Sequence, residues 1–257
     1  MINRSIFRMY DIRGRVDADL DEAAVRAIAG AFGRYVQEQD REKIIVGRDN
    51  RFSSPRFREL VVETLLLSGL DVVDIGEVIT PMFYFASRHL DIDAGMMITA
   101  SHNPGEDNGF KLLLGNSTIY GEDISKIADL AETGDFISST KKGNPSFYDI
   151  SPAYRQDIME RIKLGERQLK VVVDCGNGTA GFIAPRLLRE LGCEVIELYC
   201  DSDPSFPNHH PDPVKVENCQ DLIRVVKAEE ADLGIGFDGD GDRLGVVDTE
   251  GNIIVLS

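Results

Sequence analysis

Cysteine and positive charge are both scarce in this sequence, and each shortage excludes a class of protein. The four cysteines among its 257 residues, Cys175, Cys193, Cys200 and Cys219, include no CxxC pair of the kind found in zinc and redox sites. We therefore expect reduced, buried thiols in a cytoplasmic protein. Lysine and arginine number 28 against 44 aspartates and glutamates. The resulting formal net charge of −16 repels nucleic acid and anionic membranes.

Long apolar runs are also missing. No stretch reaches the ~18 residues that a membrane-spanning helix needs, and the N-terminal segment lacks the apolar core of a signal peptide. Hydrophobic residues still make up 42% of the chain, which is enough for an ordinary core. The length suits two domains better than one. We therefore expect a two-domain globular protein with no nucleic-acid or membrane partner.

The sequence contains one structural pattern twice. Residues 43–76 and 170–200 each show an apolar strand, a helical stripe that ends at a glycine, and a second apolar strand. A further helical stretch, a third strand, a short polar loop and a last strand follow in both copies. The helical crossover predicts parallel strands, whereas the short loop predicts an antiparallel last strand. The predicted fold class is α/β, with two tandem copies of a three-layer αβα domain, each built on a mixed four-stranded sheet.

The predicted domains are residues 1–145 and 146–257. We place the boundary in the polar stretch from Ser138 to Pro145, and a helix from Pro152 to Leu164 opens the second domain.

A polar loop follows the third strand of each copy. The first copy has the loop Thr99-Ala100-Ser101-His102-Asn103-Pro104, and the second has Asp238-Gly239-Asp240-Gly241-Asp242-Arg243. Ligands of α/β sheets bind beyond the carboxyl ends of parallel strands, which is where both loops are expected. If the two domains face each other, Ser101 and the three aspartates meet in one cleft.

The acidic loop has the composition of a metal site. Three carboxylates so close together repel one another unless a cation lies between them. Oxygen ligands suit Mg²⁺ or Ca²⁺ rather than Zn²⁺. A calcium-binding EF-hand loop needs glycine and glutamate where this chain has Arg243 and Thr249, so that interpretation fails. A solvated acidic hairpin is the other alternative, and the apolar strands on both sides make it the weaker one.

The serine loop offers a hydroxyl that can carry a phosphoryl group. Ser101 and His102 could form a hydrolase dyad, but adjacent side chains on an extended backbone point apart, and no GxSxG motif is present. We expect the loop to present the serine to solvent. A phosphorylated substrate needs local cations in so acidic a protein. Seven lie in or beside polar loops: Arg8, Arg13, Arg15, Arg48, Arg51, Lys111 and Arg243.

A competing motif is the segment GNGTAG at residues 176–181. It matches GxGxxG, follows a strand, opens a helix, and has Glu194 and Glu197 at about the dinucleotide-fold distance. Against this interpretation, Asp174 places a carboxylate where a pyrophosphate would bind. We favour a tight turn with close helix packing. A nicotinamide-dependent oxidoreductase and a non-catalytic acidic metal-binding module stay as alternatives. The adjacent pair His209-His210 predicts hydrogen-bonding loop histidines rather than a shared metal.

Four segments together carry a resemblance to a known family. They are FRMYDIRG (7–14), GRDNR (47–51), TASHNP (99–104) with NGFK (108–111), and DGDGDR (238–243). In this order, across the whole chain, they resemble the α-D-phosphohexomutases. The tyrosine-bearing first segment is similar to the phosphomannomutase/phosphoglucomutase branch.

The resemblance implies a role for each matching residue. Ser101 would be the phosphoserine, and Asp238, Asp240 and Asp242 would hold one Mg²⁺ per chain together with a phosphoryl oxygen of Ser101. Lys111 or a neighbour would act as general acid or base. The remaining implied residues are His102 and Arg13 near the reacting hydroxyl, Arg243 supporting the metal loop, and Arg8, Tyr10 and Arg48 in the substrate and phosphate vicinity.

The resemblance also implies the reaction and its partners. Such an enzyme interconverts hexose 6-phosphate and hexose 1-phosphate, of mannose or glucose, through a hexose bisphosphate. Family members have four domains, and neither the sugar-contacting loop of the third nor the basic phosphate loop of the fourth is found here. We therefore expect this chain to correspond to the N-terminal two domains.

Overall fold

The chain forms two compact units. The computed structural model describes residues 2–115, 117–134, 139 and 141–256, with the backbone only for Val255 and Leu256. The first unit comprises Met1–Glu77 and Phe83–Asp149, and the second comprises Val78–Met82 and Ile150–Ser257. Ser138, where the predicted boundary begins, lies outside the described residues.

The first unit is built on a mixed sheet. Its described strands are β1 (Ile12–Arg15), β2 (Lys43–Arg48), β3 (Asp71–Glu77), β4 (Ala94–Ile98), β5 (Asp107–Leu114), β6 (Ser117–Thr118) and β7 (Pro145–Phe147). They lie in the order β1-β5-β4-β2-β3-β7, and β6 pairs with β5. Strand β2 is parallel to both β3 and β4, whereas β5 is antiparallel to β4. The helical crossovers and the short serine loop therefore set strand direction as predicted.

Helices cover both faces of this sheet. They are α1 (Glu22–Gln37), α2 (Ser54–Leu67), α3 (Thr80–His89) and α4 (Glu122–Thr133). Buried side chains of α1, α2 and α4 share one apolar cluster with Met96 and Ile98 of β4. Gly95 of the same strand points to the opposite face, where a Cβ on it would lie 2.7 Å from the ring of Phe83 in α3. The first unit is therefore a three-layer αβα domain.

The second unit repeats this plan. Its described strands are β8 (Lys170–Asp174), β9 (Glu194–Leu198), β10 (Leu233–Phe237), β11 (Leu244–Val247) and β12 (Ile253–Leu256), and its helices are α5 (Ser151–Arg161), α6 (Ala184–Glu190) and α7 (Gln220–Ala228). The sheet has the order β12-β11-β10-β8-β9. Strand β8 is parallel to β9 and β10, and β11 is antiparallel to β10.

The two sheets share a four-stranded core with the same order and directions. This core is β5-β4-β2-β3 in the first unit and β11-β10-β8-β9 in the second, which confirms the predicted repeat. The expected count of four strands is too low, because β1, β6, β7 and β12 add to the two cores in the described chain. Edge strands pair on one side only and need little apolar pattern. Strand β7, for example, has three exposed residues.

The cysteines are placed as the composition predicts. All four are buried and free, and Sγ of Cys200 lies 3.4 Å from Sγ of Cys175. Burial raises the pKa of the Cys219 thiol to about 11. Among the described residues, every helix is too short or too polar to cross a membrane.

The glycine-rich turn after β8 packs against backbone. A Cβ on Gly178 would lie 2.9 Å from the carbonyl oxygen of Gly239, and one on Gly181 would lie 1.9 Å from that of Cys200. The turn continues into a short 3₁₀ helix, Thr179–Phe182, rather than directly into an α-helix. These glycines therefore serve close chain packing, as favoured above, and the structure lends no support to a dinucleotide site at this turn.

We predict that Gly181→Ala destabilises the protein by roughly 1–3 kcal/mol, because the added methyl overlaps the Cys200 carbonyl and the backbone must move. Gly165→Ala is the matched control, since nothing lies within 4 Å of the position its methyl would occupy. Urea denaturation measures both. Equal stabilities of the two variants would contradict the packing role.

Candidate active site

Ser101 has an unusual backbone conformation. It follows β4 by three residues, has a φ of +53°, and is 1% exposed. Its amide donates a hydrogen bond to Oγ1 of Thr99 at 2.9 Å. A left-handed conformation costs a non-glycine residue roughly 1–2 kcal/mol, so the rest of the loop must hold it there. Strain of this kind concentrates at functional sites.

The conformation of Ser101 overturns two expectations from the sequence. Oγ of Ser101 lies 3.1 Å from Nδ1 of His102, so the prediction that the two side chains point apart was wrong. That prediction assumed an extended backbone, which Ser101 does not have. The hydroxyl is also buried rather than presented to solvent. The structure thus pairs the candidate phosphoryl acceptor with a group that can exchange protons with it.

The side chain of Arg51 hydrogen-bonds to the backbone of the serine loop. Its guanidinium donates hydrogen bonds to four carbonyl oxygens of the loop and the strand start that follows, those of Ser101 and Asn103 at 2.7 Å, Pro104 at 2.6 Å and Asp107 at 2.9 Å. The side chain is 1% exposed. Because all four acceptors lie within seven consecutive residues, Ser101 to Asp107, the guanidinium helps to fix the shape of this segment.

A buried carboxylate balances this cation. Oδ2 of Asp49 lies 3.2 Å from Nε of Arg51, and Oδ1 accepts from the Arg51 amide and from the Ser54 hydroxyl. Asn108 in turn donates to Ser54. The sequence identified Arg51 only as one of seven loop cations. Its spacing from Asp49 in GRDNR was the available signal, but only the structure shows both side chains buried together.

Arg13 is the second cation at the serine loop. It donates to the carbonyl of Ala100 at 3.0 Å and to Oδ1 of Asn103 at 2.8 Å, and it forms an ion pair with Asp11 at 2.7 Å. Lys111 lies on the neighbouring strand β5, where it is buried and pairs in register with Met97 of β4. The structure therefore brings Arg13 to the loop and Lys111 to the strand beside it.

The other predicted substrate residues occupy different surroundings. Arg48 donates to the carbonyl of Asp49 and forms an ion pair with Glu77 at 2.7 Å. Arg8 and Tyr10 are exposed in the turn before β1, where the Arg8 amide bonds the Asp11 carbonyl.

The acidic loop brings its three carboxylates together. Asp238, Asp240 and Asp242 each offer an oxygen within 4.8 Å of the other two. Asp238 and Asp240 are buried, whereas Asp242 is exposed. Burial of like charges at this distance is costly without a cation. Such a set of oxygen donors fits a hard divalent ion such as Mg²⁺.

Backbone hydrogen bonds set the shape of this loop. Oδ1 of Asp238 accepts from the amides of Asp242 and Arg243, both at 3.0 Å. Gly241 has a φ of +69° and donates its amide to the Asp238 carbonyl at 3.1 Å. The turn can therefore curl back on its first aspartate, as the alternating glycines predict.

Two further contacts flank the acidic loop within the second unit. Nη1 of Arg243 lies 3.8 Å from Oδ1 of the buried Asp212. Thr80 donates its hydroxyl to Oδ2 of Asp240 at 2.6 Å. No motif in the sequence pointed to Thr80, because 160 positions separate it from Asp240.

The pair His209 and Asp174 closes the turn after β8. Nε2 of His209 lies 2.9 Å from Oδ2 of Asp174, and Nδ1 lies 3.0 Å from the carbonyl of His210. Burial alone would lower the pKa of His209, but the hydrogen bond and charge of Asp174, with the His210 carbonyl, outweigh it and raise the pKa. Both ring nitrogens face acceptors, so the imidazolium is favoured. His209 is thus a hydrogen-bonding loop histidine, as predicted.

We predict that Arg51→Met destabilises the protein by about 3–5 kcal/mol, because it leaves Asp49 buried without its cation and removes the guanidinium that donates to four carbonyls of the serine loop and the strand start. Arg26→Met is the matched control in the same unit, since Arg26 pairs with Glu63 at the surface and its loss should cost less than about 1 kcal/mol. Equilibrium unfolding in urea measures both. An Arg51→Met protein as stable as the control would show that the conformation of the serine loop does not depend on Arg51.

We also predict that the contribution of His209 to stability depends on pH. Its pKa is raised on folding, so the contribution is complete below the unfolded value of about 6.5 and is lost as pH rises through the folded pKa. The difference in unfolding free energy between wild type and His209→Gln should therefore shrink as pH rises from about 6.5 through the raised folded pKa of His209. In an Asp174→Asn background this decrease should disappear, because the hydrogen bond and charge that raise the pKa of His209 are gone. A difference that grows with pH would contradict the ion pair.

Models of a known family match most of the chain. Residues 4–138 match "Phosphoglucomutase/phosphomannomutase, alpha/beta/alpha domain I", and residues 152–251 match domain II of the same family.

Individual relatives agree with these matches. The chain is 45% identical over 253 residues to the phosphoglucomutase of Neisseria meningitidis, and 46% identical over 250 residues to the phosphomannomutase/phosphoglucomutase of Pseudomonas aeruginosa. These alignments cover 98% and 97% of this chain but 55% and 53% of the relatives. The chain therefore spans about half the length of the curated relatives it matches.

A solved structure shows the same fold. The crystal structure of a phosphoglucomutase/phosphomannomutase family protein from Burkholderia thailandensis superposes with a TM-score of 0.94 at 44% sequence identity, and the match covers 99% of this chain and 57% of that one. Sequence motifs, repeated αβα units and these comparisons lead to one conclusion: the chain belongs to the phosphoglucomutase/phosphomannomutase family.

Proposed function

We propose that this chain is the phosphoryl-carrying and metal-binding part of a phosphohexomutase, an enzyme that interconverts hexose 6-phosphate and hexose 1-phosphate. The observation that carries the proposal is Ser101 itself. Its hydroxyl lies in a strained, buried loop, 3.1 Å from a histidine nitrogen, and a fully buried arginine fixes the loop. An ordinary surface turn has no need of any of these features.

Ser101 carries the phosphoryl group in this proposal. In the forward transfer, the bond between Ser101 Oγ and phosphorus breaks, and a bond forms between phosphorus and a sugar hydroxyl oxygen. The sugar hydroxyl gives its proton to a base, and Ser101 Oγ takes up a proton. The product is a hexose bisphosphate, which reorients and returns its other phosphoryl group to Ser101.

His102, Lys111 and Arg13 support this transfer. His102 is the proton partner of Ser101, since its Nδ1 lies within hydrogen-bonding distance of Oγ, at 3.1 Å. Lys111 serves as the general acid or base toward the sugar hydroxyl. Arg13 is fixed at the carbonyl of Ala100 by its pairing with Asp11, which suits it to stabilise negative charge that develops next to Ser101.

In this proposal Asp238, Asp240 and Asp242 would hold one Mg²⁺, together with a phosphoryl oxygen carried by Ser101. The ion, when bound, neutralises charge that develops on the phosphoryl oxygens during transfer. Asp238 is oriented for ligation by the two loop amides that donate to its Oδ1. Arg243 supports the loop from its position beside Asp212.

The substrate class follows the names of the relatives. The Pseudomonas aeruginosa relative is named for both mannose and glucose phosphates, and we propose the phosphates of these two hexoses as substrates. Arg8, Tyr10 and Arg48 lie in their vicinity in this proposal. Four free, buried thiols suit a reducing compartment, so we place the enzyme in the cytoplasm.

We predict that incubation with glucose 1,6-bisphosphate adds one phosphoryl group to the protein and that Ser101→Ala abolishes this addition. Ser125→Ala, on the exposed side of α4, is the control and should be labelled like wild type. Intact-mass spectrometry measures the labelling, and fragment spectra locate it. Full labelling of the Ser101→Ala protein would remove Ser101 from the reaction.

A further inference from the structure

Thr80 makes an unusual pair of contacts with the acidic loop. It is the first residue of α3 and belongs to the segment Val78–Met82, which is part of the second unit. Its hydroxyl donates to Oδ2 of Asp240 at 2.6 Å, and its amide donates to the Asp240 carbonyl at 2.9 Å. Thr80 therefore donates hydrogen bonds to both the backbone and the side chain of Asp240.

The contact is buried on both sides. Thr80 and Asp240 are each 0% exposed, so water does not compete for this hydrogen bond. The neighbouring residues fit closely as well, since a Cβ on Gly241 would lie 3.0 Å from the side chain of Ile79. A hydrogen bond from a hydroxyl to a carboxylate is stronger than one between neutral groups. The side chain of Asp240 is therefore held in one orientation.

Helix capping does not account for this geometry. A threonine at the start of a helix stabilises it by accepting a hydrogen bond from an amide of the first turn. The hydroxyl of Thr80 instead donates to a carboxylate far along the chain. The methyl and hydroxyl of threonine have the volume of the two methyls of valine, so packing alone would accept valine here. The hydroxyl is therefore explained by its hydrogen bond to Asp240 rather than by packing.

We propose that Thr80 is a positioning residue for the metal site, acting through Asp240. Ligating carboxylates need outer partners that fix their direction. Thr80 supplies this, because its hydroxyl donates to Oδ2 of Asp240 and its amide donates to the Asp240 carbonyl. This inference rests on the proposed function only in that the acidic loop binds a divalent cation. It adds a residue from outside the acidic loop, far from it in sequence.

The test compares Mg²⁺ binding to wild type, Thr80→Val and Thr80→Ser by titration calorimetry on the full chain. Thr80→Val removes the donor at constant volume, and we expect its Mg²⁺ affinity to fall about 10-fold or more. Thr80→Ser keeps the donor and should bind close to wild type. Asp240→Asn serves as the reference for loss of the ligand itself. Circular dichroism and thermal melting establish that each variant is folded.

Two results would overturn the role of Thr80. One is a folded Thr80→Val protein that binds Mg²⁺ as tightly as wild type. The other is a folded Thr80→Ser protein as weak as Thr80→Val, which would show that shape matters rather than the hydroxyl. Should the valine variant not fold, Thr80→Ala removes the same donor and is read in the same way. If the wild-type protein shows no measurable Mg²⁺ binding, the proposed metal site is contradicted, and the role of Thr80 is contradicted with it.

Discussion

The buried guanidinium of Arg51 is the group on which the serine loop depends. It donates to four carbonyls between Ser101 and Asp107 and pairs with a buried carboxylate, so it holds the loop that carries the strained backbone of Ser101. A lysine could not do this, because its ammonium has no planar fork of donors. Fixing the turn places the Ser101 hydroxyl against His102. The chemistry proposed for this serine therefore depends on a structural cation that fixes the loop backbone.

The duplicated domains use the same construction with different chemistry. In each sheet, the first strand of the repeat lies beside the third, so the loops at their carboxyl ends are neighbours. In the first unit, Arg51 from the loop after β2 supports the serine loop after β4. In the second, the Thr179 amide in the loop after β8 donates to the Gly239 carbonyl of the acidic loop at 2.9 Å. One topology thus places the loop proposed to carry the phosphoryl group in one copy and the loop proposed to bind the metal in the other.

Electrostatics separate the two loops more sharply than topology does. The chain as a whole carries a formal charge of −16, which opposes anionic substrates. At the serine loop, Arg13 and Arg51 supply positive charge. Each guanidinium is held in position by an ion pair with a carboxylate. The acidic loop has the opposite arrangement, with two buried aspartates steadied by backbone amides and by Thr80. Its own negative charge is what selects a divalent cation.

The sequence by itself determined the repeat, the strand directions and the position of both loops, because alternation of strands, helical stripes and glycines reports local structure directly. It also predicted Ser101 and the three aspartates as candidate site residues, since their residue types are distinctive. It missed strands β1, β6 and β7, which are short and carry little apolar pattern. It was wrong about the side chains of Ser101 and His102, because a left-handed φ at a serine has no local signal. Only the tertiary structure decided that the buried Arg51 donates to the carbonyl of Ser101 and that Thr80 donates to the carboxylate of Asp240. Those contacts join residues 50 and 160 positions apart, and such pairings arise from packing rather than from any motif in the chain.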